Sequence, residues 1–394
     1  MDFWKNYGST VLLLCGLVIG GVCGVVFGEG AAAVKPVGDL FLNLIFVLIV
    51  PLVFFSMSSA IARMRGSGQA GRVIGISIAV FVGMSLVAAF VGYGWCLLWD
   101  PLRGVDKAGL LSSLPPMEDQ ASLTPGEMLV KTFSVPDFIQ LFNKANLLPL
   151  IVFSLLLGAA VPPGGKVARA LDAGLDVIVR MMKLVMVAAP VGLGCYFAAT
   201  VGRTGSAIIS GYLNVFLSYT VLALLFFFLV HTAYMALTGR LKAFWRHIFT
   251  PALTAIATSS SAATMPAGIA AACDMGVRPE IAETVIPLGT NLHKDGTVIG
   301  AVMKVLFLFG LFGIGSGGLG SFFLIVLVAL LCGMVMGAIP TGGMTAELLI
   351  CAVFGFPPEM AAAVMIISTL IDIPSTLLNA CGNVTAAVLV DRFA

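Results

Sequence analysis

Charge is scarce in this chain. Lys, Arg, Asp and Glu together make up 10% of its 394 residues, against about 25% in soluble domains. An ordinary water-soluble globule is therefore excluded. A formal net charge of +2 with no basic patch also gives no reason to expect a nucleic-acid partner. Histidine is rarer still. His231, His247 and His293 are the three present, too scattered to suggest a zinc site. The eight cysteines form no CxxC pair and lie mostly in apolar runs. They read as small hydrophobes with free thiols, not as metal ligands or a disulfide framework. No GxxxxGK[ST] run is present, and no soluble stretch is long enough to hold a nucleotide, so primary pumping is not expected. The apolar stretch 11–27 lacks a small-residue cleavage pattern followed by a soluble domain, so a retained first helix is expected in place of a signal peptide.

What the chain has instead is apolar surface. Hydrophobic residues make up 59%, and the mean hydropathy is +1.08. That composition identifies an all-α polytopic membrane protein, one integral domain over 1–394 embedded in a lipid bilayer, expected in the cell inner (plasma) membrane. Spans of crossing length are expected near 9–28, 39–62, 73–99, 147–161, 182–201 and 206–238. Between 100 and 146 the chain is more polar, with Pro115-Pro116 and Pro125, and reads as a loop followed by broken or amphipathic helix. Arg63, Arg65 and Arg72, then Lys166, Arg169, Arg180 and Lys183, then Arg240, Lys242 and Arg246 mark cytoplasmic loops by their positive charge. Counting back and forward puts both termini on the cytoplasmic side. Trp4, Trp95, Trp99 and Trp245 lie near span ends and suit interface anchors.

After Phe249 the pattern changes. Short apolar pieces are punctured at Thr258–Pro266, Asn291–Gly296, Gly337–Gly343 and Asp372–Asn383. In the second of these, His293, Lys294 and Asp295 stand side by side in membrane-grade sequence. A charge at mid-bilayer depth costs ~2.5–3.5 kcal/mol on insertion scales, so such residues face protein or water and mark a solute or ion path. Irregular backbone at that depth needs the same cover. Paired broken segments point to a transporter's binding site. Close helix packing by small residues explains one such break but not four in succession.

These four breaks, in this order, resemble the dicarboxylate/amino acid:cation symporter family, which has the glutamate-transporter fold. The serine run ending in Thr264-Met265-Pro266 resembles the tip of that family's first re-entrant hairpin. NLHKDGT resembles its NMDGT signature in the seventh helix, GAIPTGGMT the tip of its second hairpin, and DIPSTLLNACGNVTAAVLVDR its eighth helix. KPVGDLFLNLIFVLIVPLVFFSMSSAIARM, NLLPLIVFSLLLGAAV and APVGLGCYFAATVG resemble its second, fourth and fifth helices, so the likeness covers effectively the whole chain. It implies eight transmembrane helices, two re-entrant hairpins (approximately 250–276 and 322–357) and a homotrimer. It further implies a scaffold near 1–70 and 130–180, and a transport domain near 71–100 and 205–394 that moves like an elevator while the second hairpin gates the site. The implied activity is secondary active symport, not enzymatic catalysis. No cofactor is implied beyond a coupling cation, H⁺ or Na⁺.

The same likeness assigns Ser260, Ser261, Thr297, Ile339, Gly343, Asp372, Ser375 and Asn379 to the solute. Asp372 matches an aspartate that pairs with a substrate amino group, and Asn379 an asparagine that fixes a carboxylate. The informative departure is Ser375, where acidic-substrate members carry arginine; Ser259, the other place for that arginine, is also serine. Without that bidentate partner a second buried carboxylate is costly. A small neutral amino acid such as serine, threonine or alanine is therefore expected, and a dicarboxylate stays open because Lys294 can supply a cation. Ser375 can equally be a helix-packing hydroxyl.

Gly289, Asn291, His293, Lys294, Asp295, Glu347 and Asn383 form the expected ion-coupling set. Here the family's sodium ligands are altered. His293 and Lys294 replace the signature's asparagine and methionine, Asn383 replaces an aspartate, and Val80-Phe81 replaces a Thr-Ser pair. Lys294 is expected to stand in for a sodium ion, with Asp295 or Glu347 as its counter-charge. Proton coupling through Lys294, His293, Glu347 or a carboxylate is expected ahead of sodium, and a static ion pair is the plainer alternative. Lys304 either snorkels or lines a crevice. An anion-conducting channel on the same fold, or an intramembrane serine hydrolase working from residues 259–261, are the competing classes. Accumulation against a gradient separates a carrier from a channel, and a serine-directed covalent probe tests the hydrolase.

Overall fold

The computed structural model describes residues 3–64, 70–103, 130, 133–143, 146–204, 207–335, 343–357 and 359–394. Among them the regular structure is helical throughout. The first helix, α1 (Phe3–Phe27), leads through a 3₁₀ segment (Gly28–Val34) into α2 (Lys35–Met64), and α3 covers Ala70–Leu98. A 3₁₀ turn at Ile139–Phe142 precedes α4 (Leu147–Ala160), α5 (Lys166–Met186) and α6 (Ala189–Thr204). Then come α7 (Ala207–Leu225), a π-helical turn (Phe226–Val230), α8 (His231–Thr238) and α9 (Leu241–His247).

The expected span at 182–201 is not one straight helix. Helices α5 and α6 meet at a 59° bend. Pro190 explains it: without an amide N–H it opens a helix readily and continues one poorly. Along α5 the residues Lys166, Arg169, Asp172, Asp176, Arg180 and Lys183 fall on one stripe at helical spacing. The opposite, apolar stripe packs on α2, and Ser59 of α2 donates a hydrogen bond to Asp172. Helices α1 and α6 approach as closely as backbones can. A Cβ on Gly16 or Gly20 would lie 2.2 Å from the carbonyl oxygens of Pro190 and Gly194. In lipid such small-residue seams give the contact area that hydrophobicity cannot. Thus α1, α2, α4, α5 and α6 pack as one group.

The second group surrounds the C-terminal helix. Among its short members are α10 (Phe249–Thr258) and α11 (Ser261–Asp274), at 10 and 14 residues. Neither reaches the ~20 residues a crossing needs. They pack on each other, and the chain reverses at Ser259, whose φ of 45° is left-handed. This hairpin of two short helices stands where the first re-entrant hairpin is expected. Next come α12 (Pro279–Leu292) and α13 (Asp295–Leu311), separated by two extended residues, His293 and Lys294. Helices α14 (Leu319–Val335) and α15 (Gly343–Phe354) pack together, and α16 (Glu359–Phe393) runs 35 residues.

Helix α16 touches α3, α7, α10, α11, α12, α13 and α15, which makes it the axis of this group. The stretches 72–98, 210–238 and 363–393 are each long and apolar enough to cross a membrane, as is the run 11–59 through α1 and α2. Two of the expected interface tryptophans also bond protein: the Nε1 atoms of Trp95 and Trp99 donate to Ser218 Oγ and Asn214 Oδ1, each at 2.9 Å, and tie α3 to α7.

Candidate functional site

Two features open helical backbone near one another. Residues 293–294 interrupt α12–α13 as an extended link, and Pro374 inside α16 cannot donate to the carbonyl four residues earlier. Between these points α13 and α16 come into backbone contact. A Cβ on Gly296 would lie 2.4 Å from the Ser375 carbonyl oxygen, so no larger residue fits there without a shift. The Tyr219 hydroxyl, from α7, donates to the Gly296 carbonyl at 2.7 Å and holds the crossing in place.

Around this crossing the polar side chains of α16 form a stripe: Ser368, Asp372, Ser375, Asn379 and Asn383 recur at helical spacing. Asn379 faces α13. Its Oδ1 accepts from the Thr297 amide at 3.3 Å, and its Nδ2 donates to Thr297 Oγ1 at 3.3 Å and to Ser375 Oγ at 3.5 Å. All three residues are buried. Thr297, Ser375 and Asn379, expected from sequence to share one site, are therefore together. Asp372 is exposed although it lies inside a span, where a charge needs protein or water beside it rather than lipid. Lys294 is buried and its charge interacts with that of Asp372.

A second cluster lies one helical turn further along α16. The His293 ring is fully buried and stacks on Phe81 of α3, with centroids 5.0 Å apart and planes 11° from parallel. Its Nδ1 is 3.1 Å from Asn383 Oδ1 and its Nε2 is 3.0 Å from Asp295 Oδ1. Asn383 is oriented by Thr290, to which its Nδ2 donates at 3.5 Å, while Thr290 Oγ1 spends its own proton on the Ile286 carbonyl. Asn383 thus turns an acceptor toward His293, and Nδ1 must carry a hydrogen. The other ring nitrogen, Nε2, faces the Asp295 carboxylate.

Several sequence expectations are corrected. Asp295 is not the partner of Lys294. It bonds His293, because adjacent residues leaving the extended link diverge while positions 293 and 295 converge. Glu347 is not the partner of Lys294 either; it is bound to Lys304 and Ser368. Lys304 neither snorkels nor lines a crevice but is buried in that pair. Asn291 is exposed, with its Nδ2 on the Pro287 carbonyl at 3.0 Å, so its side chain points away from the His293 cluster. Gly289 does border the cluster: a Cβ there would strike Asn383 Oδ1 at 2.4 Å.

Ser260 caps α11, its Oγ accepting from the Ala263 amide at 3.2 Å, and Ser261 opens that helix. Gly343 opens α15, and Ile339 lies outside the described residues. The parts sequence reasoning missed are Tyr219, Thr290 and Ser368. Each carries one hydroxyl in an apolar helix, a signal too common to single out. A groove of about 990 Å³ lies elsewhere, between α2 and the 139–143 turn, lined by Asn43, Pro51, Phe54 and Phe142 among others.

The arrangement gathers hydroxyl, amide and charged groups of α13 and α16 around one crossing, beside a buried imidazole–carboxylate contact. Known proteins agree on the broad class. The chain is 28% identical over 400 residues to the C4-dicarboxylate transport protein of Deinococcus radiodurans, covering 97% of this chain and 88% of that one. It is 26% identical to the proton/sodium-glutamate symport protein of Bacillus subtilis, covering 98% and 93%. It is 30% identical to the C4-dicarboxylate transport protein of Deinococcus deserti, covering 76% and 69%. The sequence profile of the sodium:dicarboxylate symporter family matches residues 10–393. With regular structure that is helical throughout the described residues, a hairpin of two short helices and an interrupted α12–α13, this multi-pass membrane protein is a member of the sodium:dicarboxylate symporter family and a transporter, not an enzyme.

Proposed function

We propose that this chain is a proton-coupled symporter for a small neutral amino acid such as serine, threonine or alanine. The observation that carries the reading is geometric: Thr297, Ser375 and Asn379 meet at the α13–α16 crossing, with Asp372 one turn along the same face of α16 and Lys294 at the start of α13. A zwitterion brings one ammonium and one carboxylate, which match the charges of Asp372 and Lys294 one for one. Ser375 adds a hydroxyl where a second carboxylate would need a cation. Thr297 and Asn379 supply neutral donors for the solute's polar ends.

The coupling reading rests on His293. Its ring lies between Asp295 and Asn383, with Phe81 against its face, so an imidazole fills the space between the oxygens. A proton held there does the work of a metal cation, and Lys294 adds a second fixed positive charge. A homotrimer, an elevator motion of the group around α16 past the group around α2, and cytoplasmic termini complete the proposal. The division of the helices into two packing groups supports it.

A second reading is transport of a C4-dicarboxylate, favoured by the names of the two Deinococcus relatives. In that case Lys294 must supply the cation for the second carboxylate. Uptake of radiolabelled serine, alanine and succinate into proteoliposomes tests both readings. Serine or alanine should accumulate under an inward proton gradient without Na⁺. Accumulation of succinate alone overturns the neutral-solute reading. A requirement for Na⁺ with no response to the pH gradient overturns proton coupling.

A further inference from the structure

Ten residues beyond Lys294, about 15 Å along α13, lies a buried charge pair that the proposed transport does not use. Lys304 Nζ is bonded to Glu347 Oε1 of α15 and, at 2.7 Å, to Ser368 Oγ of α16. Ser368 Oγ in turn donates to Glu347 Oε1 at 2.5 Å. Lys304 is 3% exposed and Glu347 0%. Cys332 of α14 faces the same cluster and touches the Ala346 carbonyl at 3.7 Å.

The cluster is in line with the site. Ser368 is one turn before Asp372 on the α16 stripe, and Lys304 is two turns after Thr297 on the same face of α13. Its three groups sit on three different helices. Two of these helices carry the side chains that meet at Thr297, Ser375 and Asn379; the third belongs to the second hairpin pair, α14–α15. An ion pair so deeply buried contributes little net stability compared with apolar packing, but breaking it strands a buried charge; here, among the described residues, both bonds to Glu347 converge on Oε1 and Oε2 has no partner, so Lys304 and Ser368 alone hold the carboxylate.

We propose that Lys304 and Glu347 are positioning residues, which with Ser368 clamp α15 onto α13 and α16 and keep the solute-binding stretches of those two helices in register. This rests on the reading of the Thr297–Asn379 crossing as the solute site.

The test compares the full-length chain with K304M, E347Q, the apolar pair K304M/E347M and the charge swap K304E/E347K. Amide hydrogen exchange is measured first, since it needs no solute. Exchange should speed up at least tenfold in 295–300 and 368–379 in E347Q and K304M, and the swap should return it to within threefold of wild type. Uptake is measured second, with serine or succinate, whichever the wild type accumulates. KM should rise at least tenfold in E347Q and recover in the swap.

Faster exchange confined to α15, or a fall in maximal rate with KM unchanged, overturns the clamp. If the single variants do not fold, K304M/E347M decides, because removing both charges leaves none buried alone. Exchange at the wild-type rate in that variant means the pair only fills space. Absence of any uptake by the wild type counts against the proposed function, and the exchange measurement then settles the clamp by itself.

Discussion

His293 and Asp295 face each other with Nε2 and Oδ1 3.0 Å apart, and neither side chain is exposed to solvent. The main chain makes this contact possible. His293 is extended at the end of α12 and Asp295 begins α13, so the two side chains converge across Lys294. Asp295 also sits in the first turn of α13, where the amide dipoles favour a negative charge. The pair is therefore stabilised on the carboxylate side by a helix terminus and on the imidazole side by Asn383.

Replacing His293 by phenylalanine keeps the stack on Phe81 and removes both ring nitrogens. Asp295 is then buried without its partner. Thermal unfolding should show a loss of about 3–5 kcal/mol, and any remaining uptake should stop responding to an imposed pH gradient. Uptake that tracks the gradient as in the wild type would remove His293 from the coupling.

Lys294→Met deletes the cation opposite Asp372. A charge-assisted hydrogen bond to a carboxylate is worth about 1.5–3 kcal/mol, and about 1.4 kcal/mol corresponds to a factor of ten. Solute affinity, read as KM, should weaken at least tenfold. An unchanged KM would mean that Lys294 does not touch the solute.

Gly296→Ala places a methyl 2.4 Å from the Ser375 carbonyl oxygen, a backbone atom that cannot swing aside. The α13–α16 crossing should open, at a cost of about 1–3 kcal/mol, and the bonds among Thr297, Ser375 and Asn379 should lengthen. A fall in both unfolding midpoint and uptake checks this. Gly28→Ala, at a position with φ of 52° and nothing within 4 Å, serves as a comparison in which only local backbone strain enters.

Tyr219→Phe removes one hydroxyl and leaves the Gly296 carbonyl without its donor. A single neutral hydrogen bond contributes about 0.5–1.5 kcal/mol, so the fold should survive with a small drop in unfolding midpoint. A larger effect on uptake than on stability is expected, because the bond sits on the crossing itself.

Much of this protein was legible as pattern. The stripe Asp372–Ser375–Asn379–Asn383 is readable because helical spacing alone puts those residues on one face. The serine-rich break at 259–261 and the cluster at 293–295 stand out because polar groups in a membrane need a reason. What the pattern could not supply was partnership. Charge and position in the pattern offer Asp295 and Glu347 as partners for Lys294, and the structure engages both carboxylates elsewhere. Glu347 belongs to Lys304, from a helix 43 residues away in sequence, and Asp295 belongs to a histidine two residues back.

By itself, then, the order of apolar runs and polar breaks determined the membrane class, the helices and the face of α16 that matters, because these follow from local periodicity and from the cost of polar groups in lipid. The crossing of α13 over α16 at Gly296 and Ser375 was settled only by the tertiary structure. So was the choice of which buried charge meets which, since such a choice depends on distances between helices that no single helix encodes.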